Sequence, residues 1–227
     1  MIRVRIICEG ETEEEFVNNL LAGHLHGYGV HPIPIVLREG VHRGGDVRFE
    51  RVFKNVRNSL LQEKRCYCST LIDFYGLPAS FPGKSIATTH NNLNDKAATF
   101  CTAFENALNR SIGENSMRRF IPYVQMHEFE ALLFSDPDRF ADGINRPDLR
   151  AKLTRIRNCF STPEHINDSS ITAPSKRIIR LFPGYERQKR LLGVLAALEI
   201  GLPKIRRECP LFDAWLAKLE NLPQLPA

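Results

Sequence analysis

The chain has no apolar run long enough to cross a bilayer. Its most apolar late stretch, residues 191–202, is too short and is interrupted by glycine and glutamate. The first ten residues, MIRVRIICEG, lack the apolar core of a secretory leader, so a cytoplasmic location without membrane partners is expected. Six cysteines among 227 residues are too few for a dense disulfide framework and are expected to be reduced. Cys66 and Cys68 form neither a CxxC pair nor half of a complete zinc site. No GxxxxGK[ST] loop is present, the turn at Glu9-Gly10 is not a GxGxxG fingerprint, and Gly44-Gly45 reads as a flexible turn. His127-Glu128 lacks the second histidine of HExxH, and the scattered serines, cysteines and histidines define no nucleophilic triad.

What remains is an ordinary folding composition, 43% hydrophobic and 25% charged. A chain of this length buries roughly 70% of the surface it exposes when unfolded. The formal charge is +5, but it is unevenly placed. Residues 1–145 carry 16 Lys/Arg against 18 Asp/Glu, and residues 146–227 carry 15 against 8. An acidic first part beside a basic second part fits a metal site next to a polyanion surface, and equally a solubilising basic face.

Val4, Ile6 and Ile7 predict a first strand that turns at Gly10 into a helix, with Thr12 and Glu15 as a capping box and Phe16, Val17, Leu20 and Leu21 as its apolar stripe. Residues 32–37 predict a second strand, at a sheet edge because of its prolines. A helix over residues 46–61, a strand over 67–74, a helix over 95–110 and a strand over 120–125 follow. A short helix over 127–134 leads into helices near 149–160, 175–182, 186–200 and 211–219. The alternation predicts an α/β fold: a compact, mostly parallel four-stranded sheet flanked by helices, with a helical C-terminal extension. Residues 1–145 form the expected catalytic core, and residues 146–227 a basic extension packed on it as a cap.

Sites in open α/β sheets gather beyond the carboxyl ends of the strands. Glu9 and Glu13 beside the first strand, and Asp73 at the end of the third, would converge there as oxygen ligands for a divalent cation. Glu11, Glu14 and Glu15 read as helix-terminus or solvent residues. His127 and Glu130, three apart, would share a helix face and complete a metal shell or orient water; His127 could instead cap the junction, and Glu128 could be exposed. Lys176 and Arg177 near Pro174, with Arg180, Arg187, Lys189 and Arg190, make a phosphate-binding surface that reads no base sequence, or an ordinary basic helix start.

Several motifs occur together in one order: EGETEEEFV (9–17), LIDFYGLPASFPG (71–83), RFIPYVQMHEFEALLFSDP (119–137), IND (166–168), TAPSKRI (172–178) and GLPKIRRECPLFDAWLAKL (201–219). In these the chain resembles the DUF4276 family, whose members are described as Toprim-like nucleotidyl transferase or hydrolase domains. The resemblance implies a Toprim-like core in which Glu9, Asp73 and Glu130 hold Mg²⁺ or Mn²⁺, Glu13 assists directly or through water, and Lys176 completes the catalytic set. Tyr75 stands where the second aspartate of a Toprim DxD motif belongs, with Glu130 or Glu128 as the replacement carboxylate. The activity implied is metal-dependent hydrolysis of DNA or RNA phosphodiesters in bacterial phage defence. The alternative is a noncatalytic nucleic-acid-binding or protein-interaction component of a defence complex. A separate ATPase partner and a homodimer are left open.

Overall fold

The computed structural model describes residues 1–39, 42–43, 47–166, 169 and 171–225. Gly44 and Gly45, the expected turn, lie outside these residues, as do Asp46 and the last two residues of the IND segment. Strand β1 (Ile2–Cys8) leads into helix α1, which runs from Glu11–Phe16 through a π-helical stretch, Val17–Leu21, to Ala22–His26. Strand β2 (Val30–Val36) returns parallel to β1, and a short antiparallel pair follows, β3 (Arg38–Glu39) with β4 (His42–Arg43). Helix α2 (Phe49–Gln62) carries the chain to β5 (Cys66–Leu71), on the other side of β1. Helices α3 (Lys84–Thr88), α4 (Leu93–Ile112) and α5 (Glu114–Met117) then lead to β6 (Phe120–Ile121). The main sheet has the order β2-β1-β5-β6 with every pair parallel, so the α/β fold expected from the sequence is present.

The two faces of the sheet are read from the period-2 alternation of its strands. Val4, Ile6 and Cys8 of β1 join Tyr67 and Leu71 of β5 in one core, with Phe16, Val17 and Leu21 of α1. Ile7 and Cys68 face the opposite core, against Val52, Val56 and Leu60 of α2 and Phe100, Phe104 and Leu108 of α4. The chain leaves β1 in one direction toward β2 and later returns on the other side as β5. Right-handed crossovers therefore place α1 and α2 on opposite faces and open a crevice between the carboxyl ends of β1 and β5.

The strand expected over 120–125 is shorter, because Pro122 offers no N–H to the ladder. Thr70 bridges the gap with its side chain, its Oγ1 donating to the Tyr123 carbonyl (2.6 Å) and accepting from the Tyr123 N–H (3.1 Å). Pairing resumes as a single bridge between Asp73 and Gln125, which carries the sheet's edge up to the crevice. The segment expected as a helix over 127–134 is a 3₁₀ helix, Phe129–Ser135, with all seven residues buried. It has no solvent face for an amphipathic α-helix to present.

Beyond it come α6 (Pro137–Gly143), α7 (Arg150–Arg157), α8 (Pro174–Leu181), α9 (Tyr185–Ile200), α10 (Leu202–Glu208) and α11 (Pro210–Glu220). Phe140, Ile178, Leu192, Ala196, Phe212 and Trp215 from these helices share the α1-side core with β1. The Trp215 indole donates to Ser69 Oγ on β5 (2.9 Å), giving this apolar face a directional contact. None of the described helices is long and apolar enough to cross a membrane.

Candidate functional site

Glu9 is the first residue past β1. Its backbone N–H still bonds to the Leu71 carbonyl of β5 (3.1 Å), so its side chain leaves the sheet at the crevice. One carboxylate oxygen accepts the Asp73 backbone N–H (3.0 Å), which ties the two expected ligand positions together directly. Glu13 lies in the first turn of α1 and accepts the Gly10 N–H (2.9 Å). The capping residue is thus Glu13 acting on Gly10, rather than Glu15 acting on Thr12. Glycine has no side chain to return the bond, so only half of a capping box is formed. Glu15 is instead 3.6 Å from Arg190, and Glu11 is 2.6 Å from the same guanidinium.

The third side of the crevice comes from residues 125–130. The His127 carbonyl accepts the Tyr75 N–H (2.9 Å), and His127 itself sits at φ 69°, a left-handed conformation uncommon for a non-glycine residue. This contact fixes Tyr75, at the expected second DxD position, through its backbone. Glu130 is fully buried at the start of the 3₁₀ helix, whereas Glu128 accepts both the N–H and the hydroxyl of Ser175 at the start of α8 (2.7 and 3.0 Å). Glu130 is therefore the residue that joins the carboxylate cluster, and Glu128 holds α8.

Helix α9 supplies what the sequence reading did not place here. Lys189, expected on the phosphate-binding surface, ion-pairs with Glu130 (3.0 Å), and Tyr185 donates to the same oxygen (3.4 Å). Tyr185, Lys189 and Gly193 recur every four residues on one helix face. A side chain at Gly193 would press on the Tyr185 hydroxyl (3.2 Å) and Phe129 (3.3 Å), so glycine lets α9 approach the cluster closely. The signal in the sequence was only this i, i+4 spacing, which cannot say what the face meets.

Burial and mutual repulsion push the carboxyl groups toward protonation. Glu13 is raised to about 7, first by burial and then by the charge of Glu9. Asp73 is raised well above its ordinary range by burial, Glu9 and Glu13, and Glu9 is raised mainly by burial. Burial works against the Lys189 charge, but Glu130, Asp73 and Glu128 outweigh it and raise the ammonium. Asp73 Oδ1 and Glu130 Oε2 are buried without a hydrogen-bond partner. These features fit a cation, and an all-oxygen donor set is one that Mg²⁺ or Mn²⁺ prefers. Among the described residues, no three His, Cys, Asp or Glu side chains already stand together as a metal cage.

The other expected phosphate contacts are scattered. Arg177 donates to the Thr172 carbonyl (2.6 Å) and stacks on Phe160, Arg180 donates to the Ile171 carbonyl (3.2 Å), and Arg190 pairs with α1. Lys176 is exposed on α8, one residue beyond the Ser175 that binds Glu128. Arg187 lines a groove with Leu191, Leu195 and Leu198. All six cysteines are free thiols, and burial pushes Cys68 and Cys101 up to about 12.

The fold and site together define an α/β protein with a buried acidic cluster at the switch point of a parallel sheet. The chain belongs to the DUF4276 family, a domain of unknown function, whose model matches residues 8–220. Neither a curated protein nor a solved structure matches it.

Proposed function

We propose that the chain is a divalent-metal-dependent phosphodiester hydrolase acting on nucleic acid. The observation that carries this reading is the convergence of Glu9, Asp73, Glu13 and Glu130 at the β1/β5 crevice, with buried carboxylate oxygens on Asp73 and Glu130 left without a partner. Glu9, Asp73 and Glu130 would hold Mg²⁺ or Mn²⁺, with Glu13 beside them. A metal bound there supplies charge neutralisation at the phosphoryl oxygens and a more acidic water. The chain's own residues do the rest. Glu13, in the first turn of α1, would accept the proton of the attacking water, and Lys189 would balance the charge of Glu130. The Toprim-like kinship, the role in phage defence and the ATPase partner rest on the motif resemblance alone.

A second reading, a noncatalytic nucleic-acid-binding or protein-interaction component, is favoured by the Lys189–Glu130 pair, which already places a protein cation among the carboxylates. Labelled single- and double-stranded DNA and RNA incubated with Mg²⁺, Mn²⁺ or EDTA separate the two. Metal-dependent products lost in folded Glu9→Gln and Asp73→Asn chains support the hydrolase. Salt-sensitive binding without cleavage, unchanged in both variants, supports the second reading.

A further inference from the structure

The C-terminal cations nominated for phosphate binding are mostly occupied. Arg177, Arg180, Lys189 and Arg190 each bond to a carbonyl or carboxylate of the chain itself. A different polar surface adjoins the carboxylate crevice. A cavity of about 520 Å³ lies between the edge strand β2 and helix α2, lined by Arg51, Lys54, Asn55 and Asn58 on one side and by Pro34 and Glu14 on the other. The four α2 residues are spaced i, i+3, i+4 and i+7, which puts them in one stripe along the helix. Lys54 is exposed, and the helix carries Arg51, Lys54 and Arg57 against Glu50 alone.

The position of this groove gives the stripe its meaning. Glu14 follows Glu13 on the first turn of α1, so the α1 end of the groove is one residue along the chain from the carboxylate cluster. The backbone there is continuous with the crevice too, since the Leu37 N–H after β2 bonds to the Cys8 carbonyl at the end of β1 (3.0 Å). β2 is the outermost strand of the main sheet, and Pro34 offers no N–H at that edge. Cationic and amide side chains line the α2 wall, and Pro34, Ile35 and Val36 line the β2 wall with Glu14 at the α1 end, so a chain with its anionic side toward α2 and its less polar side toward β2 suits the groove.

We propose that this groove holds the backbone of single-stranded nucleic acid next to the reacting phosphate, with Lys54 as a phosphate contact and Asn58 as a hydrogen-bond donor to phosphate or sugar. The assignment rests on the hydrolase reading above.

The test is the salt dependence of affinity for a fluorescein-labelled single-stranded oligonucleotide, measured in Ca²⁺ on the full-length Glu9→Gln chain so that turnover does not intervene. Each phosphate contact on a single strand contributes about −0.7 to the slope of log affinity against log salt. Lys54→Gln is expected to make that slope shallower by about 0.7 and to weaken binding several-fold at low salt. Arg65→Gln, an exposed position beside the amino end of β5, is expected to leave both unchanged. A slope unaffected by Lys54→Gln, or lowered instead by Lys176→Gln or Arg187→Gln, overturns the groove assignment and leaves the hydrolase reading standing. Dependence on Lys54 with a blunt duplex but not with the single strand overturns the single-strand assignment. No binding by the Glu9→Gln chain and none by the unsubstituted chain overturns the nucleic-acid reading itself.

Discussion

Replacing Lys189 with methionine keeps the aliphatic stem and removes a cation that offsets the charge of Glu9, Glu13 and Asp73. Its partner Glu130 is completely buried, and breaking a fully buried pair costs about 3–5 kcal/mol. The Lys189 side chain is 41% exposed, so water screens the pair and the expected loss falls to about 1–3 kcal/mol. At this chain length each kcal/mol lowers Tm by about 2–4 °C, so a loss of about 2 kcal/mol lowers it by about 4–8 °C. The drop should be larger at pH 8 than at pH 5.5. Lys189 holds the neighbouring carboxyl groups below where burial would put them, and without it they take up protons more readily as pH falls. Mn²⁺ should restore what the substitution removes. A ligand at one hundred times its Kd adds about 2.7 kcal/mol, and a more electronegative cluster should bind the ion more tightly. Thermal melts of both chains in EDTA and in Mn²⁺ measure this. An unchanged Tm in EDTA, or the same Mn²⁺ increment in both chains, would refute the view that Lys189 occupies a cation's seat.

Glu164 accepts the backbone N–H groups of Leu211 and Phe212 at the start of α11, yet burial raises it from 4.5 to about 7. Between those values the folded chain keeps a proton that the unfolded chain has released. Stability should therefore fall by about 3 kcal/mol, added to a similar loss from Glu13, as metal-free protein is taken from pH 4.5 to above pH 7, read by urea denaturation. Stability that rises through this interval contradicts the burial argument. Gly143→Ala would bring a Cβ to 2.6 Å from the Ala196 backbone where α6 crosses α9, and it should cost about 1–3 kcal/mol despite alanine's better helix propensity; a neutral result would mean that the crossing relaxes freely. Ser175→Ala removes one of the two bonds that hold Glu128 and should destabilise the fold by about 1–2 kcal/mol, measured by chemical denaturation. Cleavage reduced more than ten-fold at saturating metal in that variant would instead place Glu128 among the groups that contact substrate.

Local sequence determined the four strands of the main sheet, most of the helices and the parallel α/β class, though not the short β3–β4 pair, because apolar periodicity of two and of 3.6 is a property of neighbouring residues. It also picked out Glu9 and Asp73, since strand ends in such a sheet are where the chain meets a crevice, and the hydrogen bond from the Asp73 N–H to Glu9 brings the two together. It misjudged the cap, because Glu13 and Glu15 are both in reach of the helix start and only the path of α1 past α9 assigns Glu15 to Arg190. The length of β6 hinged on Pro122, legible in the sequence, but its repair by Thr70 was not. Which of Glu128 and Glu130 faces the cluster was decided by packing: α8 arrives at Glu128 and α9 at Glu130. Lys189 looked like one basic residue among many on a helix, and only the tertiary fold carries it across 59 residues of chain to Glu130. Periodicity specifies which face of a helix is buried, whereas the chemistry of a buried site depends on which faces meet, and that is fixed only when the layers pack.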